Sequence, residues 1–78
     1  MKMTIESTTK IVQLEIGGQR VPARMWEGKT ARGIPVVVFV TRVGVLEDDD
    51  ARELEAELLE QGKPSPTVEA FPARMVWP

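Results

Sequence analysis

Lys10-Ile11-Val12-Gln13-Leu14-Glu15-Ile16-Gly17-Gly18-Gln19-Arg20-Val21-Pro22-Ala23-Arg24-Met25-Trp26 decides the fold. From Lys10 the polarity alternates. Val12, Leu14 and Ile16 point one way; Ile11, Gln13 and Glu15 point the other. Gly17-Gly18 interrupts the pattern and signals a two-residue hairpin, because the primed turns need positive φ. Such a turn places Ile16 opposite Gln19, Glu15 opposite Arg20, Leu14 opposite Val21 and Val12 opposite Ala23. The apolar pairs then share one face, and Glu15–Arg20 becomes a cross-strand ion pair on the other. A slip of one residue would set Leu14 against Arg20. The pattern predicts strands over about 10–16 and 19–27. In this register the missing N–H of Pro22 faces away from the first strand. Pro22 therefore marks a sheet edge, or a bulge that interrupts pairing to a third strand.

Trp26 to Arg32 runs from strand end into loop, and Gly33 suits a left-handed position that closes a second hairpin. Ile34-Pro35 starts the next strand, and Val36-Val37-Val38-Phe39-Val40 reads as a strand covered on both faces. Exposed, that run would aggregate. A helix is expected over about 49–61, with Ala51, Leu54 and Leu58 inward and Leu59 at the margin. Asp50 with Glu53 fits a capping box, and Asp48 or Asp49 serves equally as the cap. Gly62 is the expected left-handed residue after the helix, and Pro64 bars continuation. Lys63-Pro64-Ser65-Pro66 reads as a stiff link, residues 67–70 as one short helical turn, and 71–78 as an extended segment suited to a fourth strand.

Residues 1–9 show no periodicity and read as a flexible N-terminus; 10–78 make one small domain. The expected class is α+β: an antiparallel sheet of three to four strands with one helix packed on one face. Val12, Leu14, Ile16, Val21, Ala23 and Met25, with Val37 and Phe39, should meet Leu54 and Leu58. The opposite face, with Ile11, Trp26, Val36, Val38 and Val40, then needs cover. That cover comes from Phe71, Met75 and Trp77, or from a second copy of the chain. So small a core supplies limited stability alone, which points to a homodimer.

The 78 residues are 42% hydrophobic and 28% charged, ordinary values for a globular domain. Cysteine and histidine are absent, which removes disulfides, thiolate chemistry, the commonest general base and the commonest zinc ligand. Ser7 and Ser65 are the only serines, and neither sits on a glycine elbow. The eight acids of residues 47–62 belong to one helix or its cap, whereas paired catalytic carboxylates flank a cleft from separate elements. Asp48-Asp49-Asp50 lacks the spacing of a calcium loop, and Gly17-Gly18 lacks a phosphate-loop lysine. No catalytic residue, cofactor or metal is expected. The longest apolar run is too short to span a bilayer and no signal segment is visible at the start, so the expected location is the cytoplasm, with no membrane partner.

Charge is unevenly placed. Residues 1–46 carry seven Lys/Arg against three Glu; residues 47–62 carry eight acids against Arg52 alone. Arg20, Arg24 and Trp26 share a sheet face, and Arg42 joins them in a suitable register. A basic face with a tryptophan is a single-strand stacking platform, so a small nucleic-acid-binding module is the alternative function. An identical Pro-Ala-Arg-Met tetrapeptide occurs at 22–25 and again at 72–75, followed by Trp26 and Trp77 respectively. Arg and Trp dominate interface hot spots. Arg24, Trp26, Arg42, Arg74 and Trp77 are therefore the candidate partner-binding residues, with the acidic face Glu53, Glu57 and Glu60 as the second candidate.

Val21-Pro22-Ala23-Arg24-Met25-Trp26-Glu27-Gly28-Lys29-Thr30, then Gly33-Ile34-Pro35-Val36 and Phe39-Val40-Thr41-Arg42, carry a resemblance over about residues 10–77. With the acidic helix, Pro64-Ser65-Pro66 and the closing Pro72-Ala73-Arg74-Met75, the chain resembles small bacteriophage- and prophage-encoded proteins with a V-P-A-R-x-W-E-G-x-T segment. The resemblance brings no catalytic residues. It implies a phage accessory protein that binds and modulates or inhibits a host protein, such as a nuclease or a defence component.

Overall fold

The structure is a computed structural model. It describes residues 1–71 and the backbone of 74–76. The elements are β1 (Met3–Ile16), β2 (Gln19–Thr30), β3 (Pro35–Val40), a 3-10 turn (Asp48–Asp50), α1 (Ala51–Leu58), α2 (Pro66–Glu69) and β4 (Arg74–Val76). The sheet order is β3-β2-β1-β4. Three strands are antiparallel, and β4 runs parallel to β1, with Gln13 beside Arg74 and Leu14 beside Met75. The expected antiparallel sheet is present in three strands, and the fourth is added in parallel. The chain crosses the sheet between β3 and Gly62, which already runs parallel to β1 beside Thr8, and β4 continues along the same edge in that direction.

The first hairpin has the register the alternation dictates. Ile16 pairs with Gln19, Glu15 with Arg20, Leu14 with Val21 and Val12 with Ala23. Gly17 and Gly18 hold φ of 58° and 80°, the values a primed turn demands. Arg20 Nε lies 4.0 Å from Glu15 Oε1, an exposed pair of small energetic weight. Pairing between β2 and β3 stops at Arg24–Val40, so Pro22 occupies an unpaired edge, as its missing donor requires. Gly33, at φ 85°, closes the second hairpin.

Strand β1 starts at Met3, and the stretch expected to be flexible, 1–9, is paired with β2 from its third residue. Thr4, Glu6 and Ser7 are polar on both faces, so backbone pairing rather than an apolar stripe holds this half. A bulge between Ser7 and Ile11 separates the two halves. Thr8 anchors it: buried at 2% exposure, its hydroxyl donates to the Met25 carbonyl at 2.7 Å and accepts from the Lys10 amide at 3.2 Å. The bulge frees the outer edge of β1 to meet Gly62. The Gly62 amide donates to the Ser7 carbonyl at 3.0 Å, and the Thr9 amide donates to the Gly62 carbonyl at 3.1 Å.

Gly62 is therefore a sheet partner and not the left-handed residue that ends the helix; its φ is not positive. The helix expected over 49–61 is shorter, with a 3-10 turn at its start and α1 ending at Leu58. Neither Glu47 nor Asp50 makes a side-chain capping bond, so the Asp50–Glu53 capping box does not form. The acids of this first turn still face the positive end of the helix.

The largest correction concerns the core. Val12, Leu14, Ala23 and Met25 are buried as expected, with Val37 and Phe39 packed at their margin. Their cover is Val68 of α2 together with Phe71, not Leu54 and Leu58. Phe71 meets Phe39 with ring centroids 5.8 Å apart at 56°. Ile16 is 41% exposed and Val21 half-buried, because both lie beyond the reach of α2. The short helix is well seated. Ser65 Oγ accepts from the Val68 amide at 3.3 Å, the Ser65 amide donates to Glu27 Oε2 at 2.9 Å, and Lys10 Nζ donates to the Glu69 carbonyl at 2.9 Å. No residue of α1 is buried. A four-residue helix with Pro at its start thus seals the core, while the more periodic helix does not.

Candidate functional site

The register of β2 decides what shares the other face. Arg24 pairs with Ile11 and Val40, and Trp26 pairs with Ser7 and Val38. Strand alternation places all six side chains on the face turned away from Val68. The chain leaves β3 through Thr41-Arg42-Val43 and returns through α1, so the end of the helix borders this face.

The result is an open cleft of about 390 Å³. Arg24, Trp26 and Ile11 form its floor together with Val40 and Pro22; Arg42 and Val43 stand on one side; Leu58, Leu59 and Gln61 stand on the other. Its wall is fastened to the sheet at one end. Ser7 Oγ donates to the Glu60 carbonyl at 3.0 Å, and Gln61 Nε2 donates to the Leu58 carbonyl at 3.1 Å. Arg24 is half-buried, and its guanidinium donates to the Thr8 carbonyl at 2.9 Å. That bond ties the arginine to the bulge of β1. Arg42 is exposed. Leu59 is 81% exposed and Ile11 51% exposed, so the cleft carries apolar surface open to solvent.

Arg24, Trp26 and Arg42 are thus brought together. Arg74 is not placed with them by the backbone: β4 lies beyond β1, on the side away from β2. Trp77 lies outside the described residues. The acidic candidates Glu53 and Glu57 are exposed on α1, and Glu60 is exposed just past its end. The cleft-lining Leu58, Leu59 and Gln61 escaped the sequence pattern. Helical spacing puts Leu58 in the core, but the loop between β3 and α1 carries it to the opposite face. Arg24-Met25 of the first tetrapeptide lies in β2, antiparallel to β1, and Arg74-Met75 of the second lies in β4, parallel to it; residues 72 and 73 lie outside the described residues.

Among the described residues, no helix is long and apolar enough to cross a membrane. Compared with known proteins, the chain matches no family model, no curated protein and no solved structure, so its own geometry must carry the functional reading.

Proposed function

We propose that this chain is a non-enzymatic binding protein that occupies the surface of a protein partner through the Arg24–Trp26–Arg42 cleft. One observation carries the reading: two arginines and a tryptophan converge on a cleft whose remaining lining is mostly apolar and open to solvent. Trp and Arg anchors amid apolar surface are the composition of interface hot spots. In this reading the end of α1 is one wall of the cleft, and half-buried Leu58 with exposed Leu59 just past the helix completes the docking surface. The resemblance to phage-encoded proteins supplies the context: a cytoplasmic accessory protein that modulates or inhibits a host protein.

The basic and aromatic cleft also suits a single nucleic-acid strand. The acid-rich segment 47–62 argues for the protein partner, since Glu57 and Glu60 flank the leucines of the wall and repel phosphates. Capture from host lysate with the wild-type chain, Arg42→Glu, and the double variant Glu53→Lys/Glu57→Lys separates the candidate surfaces. Arg42 is exposed, so its reversal leaves the fold intact. Loss of a hot-spot contact costs about 2 kcal/mol, roughly thirtyfold in affinity. The expected result is one specific protein retained by the wild type and by the acidic-face variant, and lost with Arg42→Glu. Retention by Arg42→Glu with loss in the acidic-face variant would move the site to α1. A salt-dependent shift of a single-stranded oligonucleotide at about 50 mM salt would make the cleft a nucleic-acid site instead.

A further inference from the structure

Among the described residues β3 forms a free edge of the sheet. Across the second hairpin the Thr30 amide donates to the Ile34 carbonyl at 2.9 Å. Alternation from that bond turns the amides and carbonyls of Val36, Val38 and Val40 toward β2. Val37 and Phe39 therefore present theirs outward. Among the described residues no hydrogen bond reaches them, and β3 ends the strand order. Edge strands are ordinarily blunted by charge, by bulges or by a covering element. Within β3 only Pro35 serves that purpose, and it sits at the first position.

We infer that β3 is the seam of a homodimer, in which two copies pair antiparallel about a two-fold axis at Val38 and extend the sheet across both protomers. Outward-facing residues must oppose one another, so only registers that set odd positions against odd positions are allowed. With Val38 on the axis, Val37 faces Phe39 of the second copy and Val36 faces Val40. Every residue of the apolar run then meets another. Pro35 faces Thr41, so its missing donor costs one bond at each end and leaves the centre complete. A shift toward the hairpin, with Val37 on the axis, would instead set Pro35, which has no amide hydrogen to donate, against Phe39 and lose bonds within the seam. A shift the other way, with Phe39 on the axis, leaves Val36 and Val37 with no residue of β3 opposite them. The run is thus self-complementary in one register, which argues for a second copy over a foreign strand. This inference is independent of the cleft reading, since β3 uses its edge and the cleft uses a face.

The test is the mass in solution of the wild type, Val38→Lys, Val38→Glu and an equimolar mixture of the two variants. The expected result is twice the 8.7 kDa protomer for the wild type, the protomer mass for each variant, and recovery of the doubled mass in the mixture. A wild type that stays at the protomer mass overturns the inference, as does a Val38→Lys variant as dimeric as the wild type. Amide exchange on the wild type keeps the test decisive should the variants unfold. Val37 and Phe39 should exchange at least about tenfold more slowly as concentration rises through the association range, while Val36 and Val38 stay protected throughout. Fast exchange at Val37 and Phe39 at every concentration would overturn it.

Discussion

Met25→Ala is expected to lower the melting temperature by more than about 10 °C, or to leave the chain unfolded at room temperature. Met25 is fully buried at 0% exposure, in a core whose described members include Val12, Leu14, Ala23 and Val68. Truncating a buried Met to Ala costs about 2–5 kcal/mol, part of it for the cavity left behind. A domain this size holds roughly 5 kcal/mol or a little more in total, and each kcal/mol moves its midpoint by about 4–8 °C. The consequence extends past packing, because the Met25 carbonyl also accepts from the Thr8 hydroxyl that anchors the bulge. Leu54→Ala supplies the contrast. Leu54 belongs to a helix without a buried residue, and its loss should stay within about 1 kcal/mol. Thermal melts of both variants decide the point. Equal losses would mean that α1, not Val68 and Phe71, closes the core.

Gly28→Val is expected to detach the first half of β1. Gly28 pairs with Ile5, and a Cβ built on it would overlap the Thr4 carbonyl oxygen and stand 2.7 Å from the Ile5 Cα. Both obstacles are backbone, so the strand itself must move, at a cost of about 1–3 kcal/mol or more. The bulge at Thr8 confines the damage, since the pairing from Ile11 to Ile16 is set independently by the Gly17-Gly18 turn. Amide exchange should therefore show protection lost over Thr4 to Ser7 and kept over Val12 to Glu15. Uniform protection in the variant would show that the strands are not in close approach at Gly28.

The residues explain which parts of this fold were legible. The Gly17-Gly18 hairpin was, because two glycines and flanking alternation admit one register, and every expected pair is observed. The start of β1 was not, because Thr4, Glu6 and Ser7 give no apolar rhythm and a two-residue bulge breaks what rhythm there is. The helix at 51–58 was legible as a helix but not in its place. Periodicity reports that Leu54 and Leu58 form a stripe; it does not report which face of a sheet the loop before them can reach. Val68 was the reverse case. A single valine in a Pro-rich link carries no periodic signal, yet Ser65 caps its helix and Glu27 clamps the link to the sheet. Arg24 and Trp26 were legible as a pair because strand alternation alone sets them on one face. Their junction with Arg42, Leu58 and Leu59 depends on chain reversal after Val40, which sequence spacing does not encode.

The central claim is that the face bearing Trp26 is where a partner docks. A photo-reactive amino acid placed at Arg42, which is exposed on the cleft rim, tests it most directly in host cells. The same probe at Arg32, exposed at the tip of the second hairpin and outside the cleft, is the comparison. One discrete covalent adduct from position 42 to a protein other than a second copy of this chain, absent from position 32 and suppressed by Trp26→Ala, is the predicted result. No adduct from position 42, or the same adducts from both positions, would contradict it.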